Sequence, residues 1–328
     1  MKRLLVLSAA AMVLAACGSS SESSSGGSGE SWSFESGNGE TVTLDSVPKR
    51  IIASGPEAAA LMAYGIKPVG IYATGPVDED LSLKDLDLSG IEILSETYGE
   101  VDLETAVGLK PDLIVADWWP AEKAYSGFEA GVQDSSKKLA DLAPVVGVAQ
   151  GDSTEKLAQG YEDLARALGA DMDDPKIASI KADYESARAD FQDAVADQPD
   201  LSVLAVSPAD DLLYVANPEY APELQDWERW GLDVIHPDSP DPGFPYWENL
   251  SWENADKYQP DLLLIDGRTY DSSLKTGESQ PTWPTIKAAK AKAYANWPTY
   301  WMHTYSEYAA QLEKMTATIQ KADPSIGG

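Results

Sequence analysis

The chain is expected to fold as two Rossmann-like α/β lobes joined by one long α-helix, with a ligand cleft between the lobes. Three observations carry this expectation: a motif that occurs twice, a β-α-β alternation in each half, and one long helical stretch between the two copies.

The first copy runs Val101-Asp-Leu-Glu104-Thr-Ala-Val-Gly-Leu-Lys-Pro111-Asp112-Leu-Ile-Val-Ala-Asp117. The second, half a chain later, runs Leu250-Ser-Trp-Glu253-Asn-Ala-Asp-Lys-Tyr-Gln-Pro260-Asp261-Leu-Leu-Leu-Ile-Asp266. Glu, Pro and Asp keep the same spacing in both. The first part of each copy reads as a short helix, stopped at Pro111 and Pro260 because proline has no N–H to continue it. The second part is a short apolar run ending in Asp, the pattern of a buried strand in a parallel sheet. A helix feeding a buried strand, repeated, predicts two lobes of similar build, and clefts between lobes bind ligands.

From the N-terminus, Lys2 and Arg3 precede an apolar run from Leu4 to Ala16, which reads as a secretory signal over residues 1–16. The run is too short to span a bilayer, which takes about 20 apolar residues. Leu14-Ala15-Ala16-Cys17 resembles a bacterial lipobox, which implies that Cys17 is lipidated and becomes the mature N-terminus. Cys17 is the only cysteine, so no internal disulfide is expected. Residues 17–31 are nearly all Ser, Gly and Glu, too polar to offset their ordering entropy, and read as a tether. Gly37-Asn38-Gly39 between two short strand-like runs signals a hairpin. Ile51–Ser54 reads as a strand, Gly55-Pro56-Glu57 opens an Ala-rich helix, Lys67–Tyr72 is a strand, and Leu139–Ala149 holds a helix end and another strand. These elements make up an N-terminal lobe of residues 32–173, closed by a helix from Thr154 to Leu168. Pro175 suits a first helical turn, and Ile177, Ile180, Tyr184, Ala187, Phe191 and Val195 recur at helical spacing. A connecting helix over 174–198 follows, roughly 33 Å long at 1.5 Å per residue. The C-terminal lobe, 199–328, restarts the alternation. Leu201–Ser207 is strand-like with Leu212–Ala216 as its partner, Pro222–Trp230 is helical, the second motif copy follows, and a strand near Ala291–Trp297 and a helix Tyr305–Lys321 finish it.

Composition narrows the function. Lys and Arg total 24 against 54 Asp and Glu, a formal net charge of −30. That excludes nucleic-acid binding, which rests on cations neutralising phosphates, and a polybasic membrane grip. The chain holds 10 Trp and 15 Tyr but only 4 Phe; aromatics with a polar handle suit half-wet pockets.

Lipobox, tether, paired lobes, one connecting helix and the paired Glu-x6-Pro-Asp motifs together resemble the substrate-binding lipoproteins of bacterial ABC importers for ferric siderophores and cobalamin. The resemblance covers roughly Val47 to Ile319 and implies a monomer, held outside the cell membrane by its lipid, that delivers a small metal chelate to a permease and its ATPase. It implies no cofactor and no catalysis. It also implies that one glutamate on each lobe, here Glu104 and Glu253, docks onto the permease, although a glutamate near a helix N-terminus is also favoured by the helix dipole alone.

In open α/β sheets ligands bind beyond the carboxyl ends of the strands. Trp118 and Trp119 follow the first repeat strand and Arg268 follows the second. Superposing the copies sets Trp119 opposite Arg268, an aromatic wall facing a fork of donors. Other strand ends and late loops add Ser54, Tyr72, Tyr246, Trp247, Trp283 and Trp301; Trp227 and Trp230, at i, i+3 spacing, read as core instead. Among the arginines after the signal (Arg50, Arg166, Arg188, Arg229, Arg268), only Arg268 falls at a pocket-side strand end. One Arg among many Trp and Tyr suits a neutral or cationic ferric hydroxamate better than a trianionic tris-catecholate, and the siderophore would supply the whole first shell of the iron. Direct metal binding fails by counting, since the only histidines are His236 and His303. Cobalamin is an alternative ligand, as is haem with Met302-His303 offering an axial group. A carboxylate-pair hydrolase is the enzyme alternative, but no G-x-S-x-G, H-E-x-x-H or P-loop pattern occurs.

Overall fold

A computed structural model describes residues 31–151, 153–299 and 302–328. The signal, most of the tether, Cys17 and Trp301 lie outside these described residues. The first half begins with a hairpin, β1 (Trp32–Glu35) and β2 (Thr41–Leu44), and continues β3 (Ile51–Ser54), α1 (Gly55–Ala63), β4 (Gly70–Ala73), β5 (Glu92–Glu96), α2 (Leu103–Leu109), β6 (Leu113–Val115), β7 (Trp118–Trp119), β8 (Ala124–Tyr125), α3 (Asp134–Leu139), β9 (Val145–Val146) and α4 (Thr154–Ala167). Five of these strands form an all-parallel sheet in the order β5-β4-β3-β6-β9. Strands β3 and β6 are fully buried, as a parallel sheet covered on both faces requires.

Helix α5 (Pro175–Ala196) leads to the second lobe: β10 (Ser202–Pro208), β11 (Leu212–Ala216), α6 (Pro222–Arg229), β12 (Asp233–Val234), β13 (Trp247–Ser251), β14 (Leu262–Asp266), α7 (Tyr270–Ser279), α8 (Lys287–Ala291), β15 (Tyr294–Trp297) and α9 (Tyr305–Ile319). The sheet order is β13-β11-β10-β14-β15, with β12 also on β10. Strands β12, β14 and β15 join in parallel, while β11 turns back tightly against β10 and β13 runs antiparallel to β11. Asp174 caps α5 by accepting from Lys176 N at 2.8 Å, and Pro175 occupies its first turn. Tyr184, Phe191 and Val195 of α5 pack into the second lobe's core with Trp227, Tyr308 and Leu312, so the linking helix is bound along one lobe. It meets α4 of the first lobe through Arg188–Glu155 at 2.6 Å. Trp227 is fully buried and Trp230 packs against the same core.

The repeat has a common anchor. Asp112 accepts from Lys49 N and Arg50 N at 2.9 and 2.8 Å, and Asp261 accepts from Ser202 N at 2.9 Å and Gly327 N at 2.7 Å. Each Asp thus fastens the start of its strand to the start of the neighbouring parallel strand, with Ile51 beside Leu113 and Val203 beside Leu262. The expected helix in the second copy is corrected. Leu250 and Ser251 end β13, paired with Leu213 and Leu212, and a single 3-10 turn, Trp252–Asn254, carries Glu253. Trp252 Nε1 donates to Ala209 O at 3.0 Å and holds the turn to the β10–β11 corner.

Candidate ligand-binding cleft

The carboxyl end of β6 runs through buried Ala116 and Asp117 into the β7–β8 hairpin. Trp118 and Trp119 are half-buried on it. Trp118 N donates to Val148 O at 2.9 Å, and its ring meets Tyr125 edge-on at 5.0 Å. Trp119 packs against the core cluster of the opposite lobe. From that lobe, Tyr246 is buried and its hydroxyl donates to Glu122 of the hairpin at 2.7 Å. Its ring lies 4.9 Å from both Tyr220 and the exposed Phe244. Trp247 is buried against Trp297, with the Arg268 guanidinium 6.0 Å from its ring centre. Gly267 lets this turn approach β15, since a Cβ there would lie 2.5 Å from Trp297 O. The lobe boundary therefore brings Trp119 to the core that holds Tyr246 and Trp247, with Arg268 beside Trp247, while Trp118 stays on the first lobe against Tyr125.

Three expected contacts are buried inside the lobes. Ser54 is buried and donates to Glu57 at the start of α1. Tyr72 is buried beneath the loop after β8, donating to Ser126 O at 2.9 Å, so it supports the hairpin. Trp283 is a core residue of the second lobe, packed over Gly277 and bonded to Tyr294 OH at 3.1 Å. Its segment precedes α8 and the amino end of β15, away from the carboxyl ends.

Two buried acids, one at each lobe's strand end, organise the floor. Asp266 ends β14 and accepts from Arg268 N at 3.1 Å and from its guanidinium at 2.5 Å. Asp117, at the same motif position, accepts from Tyr161 OH, from Gln150 Nε2, and from His303 Nε2 at 2.6 Å. Glu57 Oε1 accepts from Asp117 N at 2.8 Å. Burial and then the Asp117 charge push the Glu57 carboxyl up to about 7. Burial alone would lower the His303 imidazole, but Asp117, with Glu57 and Glu307, pushes it up to about 10. Glu223 stands at the start of α6 behind Pro222, as Glu57 stands behind Pro56 in α1. It accepts from Trp297 Nε1 at 2.6 Å, and burial pushes it up to about 8. Sequence reading missed both glutamates; the shared Pro-Glu opening of the two helices was the available signal.

His303 is 1% exposed and its Nε2 is engaged by Asp117, which corrects its reading as an axial ligand. Counting histidines also missed that Glu57, Asp117 and His303 offer ligand atoms within 4.8 Å of one another. Hydrogen bonds already engage both carboxylates of this cluster, from Ser54, Asp117 N, Tyr161, Gln150 and His303. A cation there would have to displace them. Glu104, in the first turn of α2, and Glu253 are both exposed. A cavity of about 490 Å³ lies between Leu81–Asp85 of the first lobe and the end of β15, Met302 and α9 of the second; of the expected contacts it is lined only by Met302, the alternative haem contact, among the described residues.

The chain is 27% identical over 296 residues to the Fe(3+)-citrate-binding protein YfmC of Bacillus subtilis, covering 87% of this chain and 85% of that one. It is 30% identical over 208 residues to the probable siderophore-binding lipoprotein YfiY of the same organism, covering 62% and 58%. The crystal structure of DesE, a ferric-siderophore receptor protein from Streptomyces coelicolor, matches with a TM-score of 0.79 at 28% identity, covering 90% of this chain and all of that one. The sequence model described as periplasmic binding protein matches residues 68–300. With two α/β lobes, one joining helix and a cleft at the strand ends, the chain belongs to the periplasmic binding protein family.

Proposed function

We propose that this protein captures a ferric hydroxamate siderophore and delivers it to an ABC permease and its ATPase, without catalysing a reaction. The names of its relatives, a ferric-citrate binder, a probable siderophore binder and a ferric-siderophore receptor, support an iron chelate as cargo. The observation that carries the ligand class is the charge pairing at the cleft. Arg268 is matched by Asp266, His303 by Asp117, and the two nearby glutamates are pushed toward their neutral forms. A floor so balanced suits a ferric tris-hydroxamate, which carries no net charge, and is poorly matched to a trianionic catecholate. Trp118, Trp119, Tyr246 and Trp247 supply apolar surface for the ligand's hydrocarbon arms. The Arg268 guanidinium would donate to iron-bound oxygens.

No described helix is long and apolar enough to cross a membrane. Lipidation of Cys17 would hold the protein near its permease and raise its local concentration there. Glu104 and Glu253, exposed on the two motif copies, would dock the two lobes.

The test is a fluorescence titration of the purified protein with ferric hydroxamates, ferric citrate, a ferric catecholate, cobalamin and haem. Saturable one-to-one quenching by the hydroxamates, strongest in the panel, is expected. Quenching by cobalamin or haem alone would overturn the ligand class and leave the receptor reading standing. Chemical turnover of any ligand would overturn the receptor reading itself.

A further inference from the structure

Asp117 and Asp266 occupy the same place in the two motif copies, yet they are neutralised differently. The partner of Asp266 is Arg268, two residues on in the same lobe. The partner of Asp117 is His303, which belongs to the other lobe and lies between β15 and α9. Both residues are almost wholly buried, so the pair is a charged contact closed off from water between the lobes.

Each side of the contact is held rigidly by its own lobe. Glu57 of α1 accepts from the Asp117 backbone N–H, Tyr161 of α4 donates to one carboxylate oxygen, and Gln150 donates to the other. On the opposite side, Glu307 of α9 accepts from His303 N at 3.1 Å. The imidazole stacks edge-on to Tyr161 at 5.4 Å between ring centres. Several other links cross between the lobes, among them Gln225 Nε2 to Gly151 O at 2.7 Å and Tyr305 OH to Gln159 Oε1 at 2.9 Å. Asp226 of α6 accepts from Ser153 Oγ and Glu155 N at the start of α4, at 2.5 and 3.0 Å. Tyr246 reaches Glu122 at the rim. The Asp117–His303 pair sits at the strand ends, where a change in lobe angle would be felt directly as a change in cleft width.

We propose that His303 and Asp117 are positioning residues, a buried ionic pin that sets the angle between the lobes and so the width of the ligand cleft. The groups facing the imidazole are Asp117, Glu57, Tyr161 and Glu307. Loss of its proton removes the charge attraction to Asp117 and leaves three acids, Asp117, Glu57 and Glu307, facing an uncharged ring. The connecting helix and the remaining interlobe links then hold the strand-end side of the cleft less tightly.

The test reads the lobe separation without any ligand, so it stands apart from the proposed cargo. Spin labels on Val107→Cys and Asn254→Cys, in a chain with Cys17→Ser, report the distance between the two motif copies by electron–electron resonance. Nitrogen NMR follows the imidazoles in parallel, and with only two histidines in the chain the His303 signal is assigned by a His236→Gln variant. As pH rises from 6 to 11, the distance distribution of the otherwise unaltered protein should stay narrow and then broaden at the midpoint where His303 loses its proton. Asp117→Asn, which removes one charge of the pair, should lower the His303 midpoint and leave the distance distribution broad already at pH 6. Loss of the His303 proton with no change in the distance distribution would overturn the proposal. If Asp117→Asn fails to fold, the pH series on the parent chain decides the matter alone.

Discussion

The Arg268 fork pairs with buried Asp266 and is proposed to meet the ligand, and this dual use sets what its replacement should do. Arg268→Ala is expected to weaken ferric hydroxamate binding by about 1.5–3 kcal/mol, the range for hydrogen bonds to charged groups, measured by fluorescence titration. It should also lower the melting temperature, because buried Asp266 loses its guanidinium partner and, among the described residues, keeps only the amide of position 268 and Thr299 as donors. Arg268→Lys should recover the charge balance but only part of the affinity, since an ammonium cannot reproduce the planar fork. The buried ionisable groups make a second residue-scale prediction. Glu57, Glu223 and His303 all bind a proton more tightly when folded than unfolded. Their contribution is therefore greatest at low pH. The glutamates lose theirs as pH rises from about 4.5 through 7 and 8, and His303 loses its own between about 6.5 and 10. Calorimetry across pH 6 to 10 should show a steadily falling melting temperature; a flat or rising profile would contradict this electrostatic reading.

Elements bounded by a cap or a proline were legible in the sequence, and those defined only by packing were not. Helix α5 begins at Pro175 behind the Asp174 cap, and α9 begins behind Thr304, which accepts from Glu307 N at 3.1 Å. Both repeat strands were legible as short apolar runs closed by Asp. Strand β13 was not, because Trp247-Glu-Asn-Leu-Ser carries no clean alternation; it forms because β11 offers it an edge. Helix α7 escaped because Tyr-Asp-Ser-Ser-Leu-Lys-Thr-Gly-Glu-Ser has weak helical propensity. Its Gly277 instead admits the Trp283 ring, which a Cβ would meet at 3.1 Å. The same contact explains why Trp283 was misread as a cleft residue. The repeat anchors give a prediction at this scale. Asp261→Ala should cost about 1–3 kcal/mol by leaving the Ser202 and Gly327 amides without their acceptor. Hydrogen exchange should then quicken at Ser202 and in the last residues; unchanged protection would show that the anchor is dispensable.

Across the whole molecule the repeat set the architecture, and the resemblance set the expected direction of transport. What neither supplied was the contact between the lobes, because His303 reaches Asp117 from a distant part of the chain and no periodic pattern marks it. If the two exposed glutamates dock the lobes, Glu104→Ala and Glu253→Ala should each lower uptake while leaving ligand affinity near that of the parent. The double variant should be worse than either, because paired charges set orientation as well as strength. Equal uptake by parent and double variant would return both to ordinary surface residues. The central claim is that the cleft recognises an assembled ferric hydroxamate and leaves it chemically unchanged. Calorimetric titration of the parent protein with one hydroxamate siderophore, loaded with iron and iron-free, tests it most directly. One-to-one binding of the ferric complex, much tighter than that of the flexible iron-free chain, which must be ordered on capture, is the predicted result. Equal affinity for the two forms, or heat from neither, would contradict it.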